Sequence, residues 1–102
     1  MRQIDPKEKR LIAFLALAGG VQLSLPARQR VWVVNQEMGS IRADYCPAGC
    51  RVLSVASHEF EDDDEVPIIA SLLLTEDGRF GELDFWKIND EPIISWPVAP
   101  SL

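Results

Sequence analysis

Residues 67–87 constrain the fold more than any other part of the chain. An apolar run that begins at Pro67 is followed by Asp77-Gly78 and then by a second run, Phe80-Gly81-Glu82-Leu83-Asp84-Phe85-Trp86-Lys87. Two runs joined by Asp-Gly predict a β-hairpin, because both residues of a two-residue loop take positive φ, which Asp and Gly tolerate best. We therefore expect a central hairpin with Asp77 and Gly78 as its loop.

Pairing outward from this loop predicts which side chains share each face of the hairpin. One face is apolar and is expected to lie on the core: Ile68, Ala70, Leu72, Leu74, Leu83 and Phe85. The other face is mixed and is expected to be half solvated: Ile69, Ser71, Leu73, Thr75, Phe80, Glu82, Asp84 and Trp86. A slip of one residue would bury the unpaired carboxylates of Glu82 and Asp84, which costs several kcal/mol, so the register is expected to be well fixed.

The N-terminal segment predicts a capped helix on the core face of the sheet. Asp5 can cap the first free amides, Pro6 suits the first helical position, and Glu8 completes a capping box. Gly19-Gly20 provides the stop. The apolar stripe at helical spacing consists of Leu11, Ile12, Phe14, Leu15 and Ala18. The alternative is a secretory leader cleaved at Ala16-Leu17-Ala18, which the short apolar run and the capped start disfavour.

Between this helix and the central hairpin, the pattern predicts further strands. Residues 21–27 are interrupted by Pro26 and predict a connecting segment, and residues 31–34 are β-branched and predict a short strand. A helix over residues 27–38 is the alternative for this region. The chain then turns around Gly39.

A second hairpin is predicted from residues 41–46 and 50–60, closed by Pro47-Ala48-Gly49. In that register the inward side chains are Ile41, Ala43, Leu53 and Val55. His58 and Phe60 then point outward.

Two stretches near the C-terminus are predicted to be irregular. Residues 59–65 hold six carboxylates, but their spacing does not match a calcium loop, so we expect a solvated acidic turn. The tail from Asn89 to Leu102 is expected to be extended. Its apolar side chains, Ile93, Ile94 and Trp96, are expected either to add an edge strand or to pack over the sheet.

Length and composition predict one small domain over residues 1–102. The chain has 102 residues, of which 47% are hydrophobic and 25% charged, enough for a single core. The predicted fold class is α+β: an N-terminal helix packed on an antiparallel sheet of about five strands, in two layers.

Charge restricts the partners that we expect. The formal net charge is -6, which argues against direct binding to nucleic acid or to an anionic membrane surface. The charge is also uneven: residues 1–57 contain eight basic and four acidic residues, and residues 58–102 contain two basic and twelve acidic residues. No segment has the length of a membrane span.

Cysteine and histidine usage predicts neither metal nor cofactor. Cys46 and Cys50 are the only cysteines and His58 is the only histidine, too few for a disulfide framework or a zinc site. We expect a reduced pair of thiols in a cytoplasmic protein, although a disulfide is compatible with a short loop. No glycine-rich phosphate loop precedes a helix.

The mixed hairpin face is the candidate binding site. Ser71, Glu82, Asp84 and Trp86, with the neighbouring acidic turn and His58, are the residues we expect to bind a basic or mixed protein surface. A non-enzymatic interaction module is therefore the predicted function, and an immunity-type inhibitor of a basic toxin is one concrete version. No residue is predicted to be catalytic in this interpretation.

Two other function classes remain open. The first is a small enzyme in which His58 acts as a general base beside Glu82 or Asp84. The second is a self-associating homo-oligomer in which an exposed strand edge pairs with another copy.

Finally, several motifs resemble a family of small uncharacterised bacterial proteins that is defined only as a domain of unknown function. The resemblance rests on Met38-Gly39-Ser40, the acidic stretch before Val66, the Glu-Leu-Asp-x-Trp-Lys block at Glu82, and Pro92-Ile93-Ile94. It covers residues 38–97. The resemblance implies a bacterial origin and a cytoplasmic α+β domain, and it implies no activity and no catalytic residue.

Overall fold

The computed structural model describes residues 1–100, in which one helix packs on one antiparallel sheet. The elements in chain order are β1 (Arg2–Gln3), α1 (Pro6–Ala18), β2 (Arg30–Asn35), β3 (Ser40–Ala43), β4 (Val52–Glu61), β5 (Pro67–Thr75) and β6 (Phe80–Lys87). Strand order across the sheet is β1-β2-β3-β6-β5-β4, and α1 lies against β4 and β5. The predicted helix on an antiparallel sheet is confirmed, but the sheet has six strands rather than about five.

The helix begins where its capping residues predict. The Asp5 carboxylate accepts a bond from the Glu8 amide at 2.8 Å, and the Glu8 carboxylate accepts one from the Asp5 amide at 3.0 Å. Its buried side chains are Leu11, Ile12, Leu15 and Ala16. Ala18, which was expected in this stripe, is exposed. No helix in residues 1–100 is long and apolar enough to cross a membrane.

The central hairpin forms with the predicted register over most of its length. β5 pairs with β6 from Ile68 opposite Lys87 to Leu73 opposite Glu82. The predicted core side chains are buried: Ile68, Ala70, Leu72, Leu74, Leu83 and Phe85. Because strand side chains alternate, this burial fixes Glu82, Asp84 and Trp86 on the opposite face of the sheet.

The loop of this hairpin differs from the prediction. The amide of Thr75 donates to the carbonyl of Arg79 at 2.8 Å, so the loop has three residues, and of these only Gly78 has a positive φ, 84°. The extra loop residue shifts the pairing by one, and a bulge at Gly81 restores it. The bulge turns Phe80 into the core, where it is 1% exposed, so its expected place on the mixed face is wrong.

The second predicted hairpin is wrong. β3 pairs with β2 and β6, whereas β4 pairs with β5 at the edge of the sheet. Residues 44–51, which we call the crossover loop, therefore connect β3 to a strand three places away. Tyr45 anchors this loop, because its hydroxyl donates to the carbonyl of Phe80 at 2.7 Å and its ring lies 4.0 Å below the Arg79 guanidinium.

A bulge reverses the expected alternation in β4. The pairing with β5 is irregular between Ser54 and Ala56, so Val55 has no partner of its own. Beyond this point His58 lies opposite Ala70 and Phe60 opposite Ile68, on the face that carries the helix. The predicted inward Leu53 is 65% exposed. Phe60 packs against the core, and His58 lies on the same helix face although its side chain is exposed, so the face predicted for both residues is wrong.

The acidic turn is not fully solvated, because it provides the partners of a buried lysine. Lys87 follows Leu83 and Phe85 on the core face and is 1% exposed. Its ammonium contacts the carboxylates of Asp62 at 2.8 Å and Asp64 at 2.7 Å. The Asp62 side chain is fully buried, which corrects the prediction of a solvated turn at this residue.

Asp62 also holds the C-terminal tail. Its carboxylate accepts bonds from the amides of Ile94 and Ser95, both at 2.9 Å. Burial opposes ionisation of Asp62, but these amides and the Lys87 ammonium outweigh it and hold the pKa of Asp62 below its ordinary value of 3.8. The tail therefore depends on a charged carboxylate inside the protein.

In the described residues the tail packs over the sheet and does not add an edge strand, so the second of the two predicted alternatives is confirmed. Residues 89–100 contain no strand, and Ile93 is buried. The indole of Trp96 donates to the carbonyl of Met38 at 2.9 Å and lies over Gly39, whose φ is +74° and where a side chain would collide with the ring. Leu102, the end of the predicted tail, lies outside the described residues.

We expect Asp62→Ala to lower the free energy of unfolding by ~3 kcal/mol, as usually follows when one partner of a buried ion pair is removed. Because the folded-state pKa of Asp62 is depressed, its stabilisation is present above pH 3.8 and is lost as the pH falls further. Urea unfolding at pH 7 and pH 3 measures both effects. Asp63→Ala, at the exposed neighbouring position, is the control and should change stability little. Equal stability of the two variants at pH 7 would contradict the assigned role of Asp62.

Candidate functional site

The sheet face opposite α1 brings together four of the five predicted binding residues. We call this surface the open face. On β5 and β6 it consists of Ile69, Ser71, Leu73, Glu82, Asp84 and Trp86, and β2 and β3 add Trp32, Ser40 and Arg42. Asp84 lies directly opposite Ser71, and Trp86 directly opposite Ile69. The hairpin register alone positions these side chains.

His58 does not belong to this site. It shares the helix face with Ala70 and Phe85, and its ring lies 5.1 Å from Phe14 of α1 and 4.8 Å from Phe60. Glu82 and Asp84 lie on the other face of the sheet. The predicted convergence of His58 with either carboxylate, on which the enzymatic alternative depended, is therefore wrong.

Glu82 is covered rather than half solvated. Arg42, opposite it on β3, donates from Nε to the Glu82 carboxylate at 2.6 Å, and the two side chains are 13% and 11% exposed. The same guanidinium reaches into the crossover loop, where Nη1 donates to the carbonyl of Pro47 at 2.7 Å and to those of Ala48 and Cys50 at 3.3 Å. The loop therefore closes over one part of the open face.

Trp32 contributes to the same closure. Its indole donates to the carbonyl of Cys46 at 3.0 Å. The Cys46 thiol is fully buried, and burial together with the neighbouring Cys50 thiol raises the pKa of Cys46 to about 11. Both cysteines are free thiols in the structure, and Cys50 is half-buried.

Asp84 lies at the boundary between the covered and the exposed part. It accepts a hydrogen bond from the buried Ser40 hydroxyl at 3.0 Å. Burial raises the pKa of the Asp84 carboxyl, the Ser40 bond opposes this, and the charge and hydrogen bonding of the adjacent Glu82 carboxyl raise it further. Asp84 is therefore harder to ionise than an ordinary surface carboxyl group, and a cation brought to this position would favour its charged form.

The exposed part of the open face offers hydroxyl groups and an indole. The hydroxyls of Ser71 and Ser57 lie 2.8 Å apart. Trp86 is 47% exposed, and its indole donates to Asp90 at 2.9 Å, which fixes the ring on the surface. These groups can form hydrogen bonds and apolar contacts. Within residues 1–100, no three His, Cys, Asp or Glu side chains converge as a metal site would require.

Sequence reasoning missed Arg42 and Lys87. Lys87 could have been found, because residues 83, 85 and 87 alternate onto the core face and a buried lysine needs a carboxylate partner, which the acidic turn offers. Arg42 gives no such indication. Its carboxylate partner, Glu82, lies on a strand that the sequence does not predict to pair with β3, and its other partners are carbonyls of a loop that is predicted to close a different hairpin.

The comparisons with known proteins give a family and no function. A family model described as Domain of unknown function (DUF6984) matches residues 1–97. The match extends to the N-terminus, beyond the region 38–97 that the motifs suggested. No curated protein and no solved structure matches the chain.

We expect Asp84→Asn to stabilise the protein at pH 7. The folded-state pKa of Asp84 is raised, so its contribution to stability is present at low pH and is lost as the pH rises through that pKa. Asparagine keeps the acceptor for Ser40 and can donate to Glu82. Because Asp84 is partly solvated, the expected rise in thermal midpoint is small, about 2 °C.

Thermal unfolding at pH 7 and pH 4 checks this expectation, and the gain should shrink at the lower pH. Asp63→Asn, on the exposed turn, is the matched control. A lower midpoint for Asp84→Asn at pH 7 would show that the ionised carboxylate is instead stabilised by its surroundings.

Proposed function

We propose that this chain, which belongs to the family described as Domain of unknown function (DUF6984), is a non-enzymatic protein-interaction module that binds a basic partner through its open face. The proposal includes a bacterial cytoplasmic setting, in line with the motif resemblance. An immunity-type inhibitor of a basic toxin is its most concrete version.

The observation that carries the proposal is a sheet face without a covering layer. In residues 1–100 the one helix lies on the other face, and the crossover loop covers only the part around Arg42 and Glu82. What is left combines the rigid indole of Trp86, the Ser71 hydroxyl and the edge of Asp84. Aromatic anchors surrounded by polar groups are typical of interaction surfaces.

Electrostatics favours a cationic partner. Burial raises the pKa of Asp84, and a lysine or arginine placed against this partly buried carboxyl group would interact with it in a less screened environment than at the open surface. The chain has a net charge of -6, which adds long-range attraction for a basic protein. A residue that costs stability in the free protein and gains it on binding is a common feature of functional surfaces.

A second candidate role is self-association through β4. This strand has ten residues and lies at the edge of the sheet, where its outer backbone groups can pair with another strand. Glu59 and Glu61 lie on this edge, and like charges would oppose pairing of two copies at that end.

The test is affinity capture of proteins from a bacterial lysate with four immobilised chains: wild type, Trp86→Ala, Asp84→Asn and Leu17→Ala. Leu17 is an exposed apolar residue of α1, 72% exposed, and is the matched control. We expect a basic protein that wild type and Leu17→Ala retain and that Trp86→Ala binds at least ~30-fold more weakly, the loss typical of an interface anchor. For Asp84→Asn we expect weaker binding with a smaller dependence on salt.

Retention of the same proteins with the same affinity by all four chains would refute the open face as the binding surface. Light scattering of the purified chain separates the two candidate roles. A monomer removes self-association through β4, whereas a dimer that persists in Trp86→Ala would favour it.

A further inference from the structure

A cleft on the helix side of the sheet is unrelated to the open face. It has a volume of about 570 Å³ and lies between the start of α1, strand β2 and the C-terminal tail. Its floor is apolar and is formed by Leu11, Val33 and Phe85. The volume is within the range of small-molecule sites.

The outer wall of the cleft consists of large apolar side chains that remain exposed to solvent. Ile94, Trp96 and Val98 all line the cleft, and they are 57%, 44% and 53% exposed. Three neighbouring large apolar side chains that remain in contact with water around one concavity are typical of a binding site.

Hydrogen bonds to buried groups fix the position of this wall. The amide of Ile94 is bonded to the buried Asp62 carboxylate, and the indole of Trp96 is bonded to the Met38 carbonyl and lies against Gly39. A ligand would therefore meet a largely preformed surface, which reduces the entropic cost of binding.

Two basic residues, Arg2 and Lys7, lie at the rim of the cleft, and within residues 1–100 only Arg2 of the two is paired with a carboxylate. Arg2 forms a bidentate pair with Glu8 at 2.8 Å, and Asp5 and Glu8 cap the helix. Lys7 also lines the cleft and is exposed, and in the described part of the chain it takes part in no ion pair. An anionic group at the mouth of the cleft would be complementary to its ammonium.

From these contacts we propose that the cleft binds a small apolar molecule that carries one anionic group. The apolar part lies on Phe85 and Leu11 beneath the Trp96 indole, and the anion faces Lys7. Lysine recognises a carboxylate or a sulfonate as a point charge, so either group satisfies the site.

The three tryptophans make a selective readout. Each indole N–H has a different acceptor: Cys46 for Trp32, Asp90 for Trp86 and Met38 for Trp96. The three indole signals in a nitrogen-proton correlation spectrum therefore report on three separate surfaces, and only Trp96 lines the cleft.

The experiment titrates the full chain with anilinonaphthalene sulfonate and with phenylnaphthylamine, the same ring system without the sulfonate. We expect the sulfonate to shift the Trp96 signal while those of Trp32 and Trp86 stay in place. The neutral compound should bind more weakly at the same site. Lys7→Gln should weaken sulfonate binding about 3-fold, as for an exposed ion pair, and should leave binding of the neutral compound unchanged.

Val98→Asp tests the apolar wall. It should weaken the binding of both compounds ~10-fold, because it places a carboxylate beside the bound ring system. Leu53→Asp, at an exposed apolar position on β4, is the matched control and should leave both affinities unchanged. Circular dichroism confirms that each variant is folded.

Equal affinity for the two compounds in the wild type would overturn the anion assignment. Movement of all three indole signals together, or of none, would overturn the cleft as the site. Neither result bears on the open face, which none of these variants alters.

Discussion

The shape of the open face depends on one guanidinium. Arg42 donates to the Glu82 carboxylate on the neighbouring strand and to three carbonyls of the crossover loop. That loop passes from the middle of the sheet to its edge, and these hydrogen bonds tie it to strand β3. Arginine suits this position because its planar fork can serve several acceptors while it stays charged. The same contacts decide which part of the open face is covered and which part remains exposed to a partner.

Two partly or fully buried carboxyl groups have pKa values that shift in opposite directions: the pKa of Asp62 is lowered and that of Asp84 is raised. We assign a structural role to Asp62 and a binding role to Asp84. Asp62 is buried with an ammonium and backbone amides, so its charged form stabilises the fold and holds the tail. Asp84 is partly buried beside another carboxyl, so its charged form costs stability. Carboxyl groups with a raised pKa, such as Asp84, are often found at functional sites. For this reason we propose the open face, and not the acidic turn, as the binding surface.

The sequence predicts features that local chemistry determines and misses those that depend on distant pairing. The helix start at Asp5 and the alternation through β5 and β6 follow from residues that are neighbours in the chain. Phe80 was misplaced because the three-residue loop and the Gly81 bulge compensate each other, and neither is visible in an alternating pattern. His58 was placed on the wrong face for a similar reason, since the bulge at Val55 reverses the alternation. The insertion of β6 between β3 and β5 depends on the burial of Ile41 beside Leu83, which are far apart in sequence.

The most direct test of this account measures how fast the two thiols react with N-ethylmaleimide in the native protein. In the wild type, Cys50 should react readily and the buried Cys46 only slowly. In Arg42→Met the crossover loop should open and Cys46 should react at a rate comparable with Cys50, while slow amide exchange in α1 shows that the core stays folded. Arg51→Met, at an exposed position of the same loop, should behave like the wild type. A Cys46 that reacts rapidly in the wild type, or stays protected in Arg42→Met, would contradict the assignment of Arg42 as the group that closes the loop over the open face.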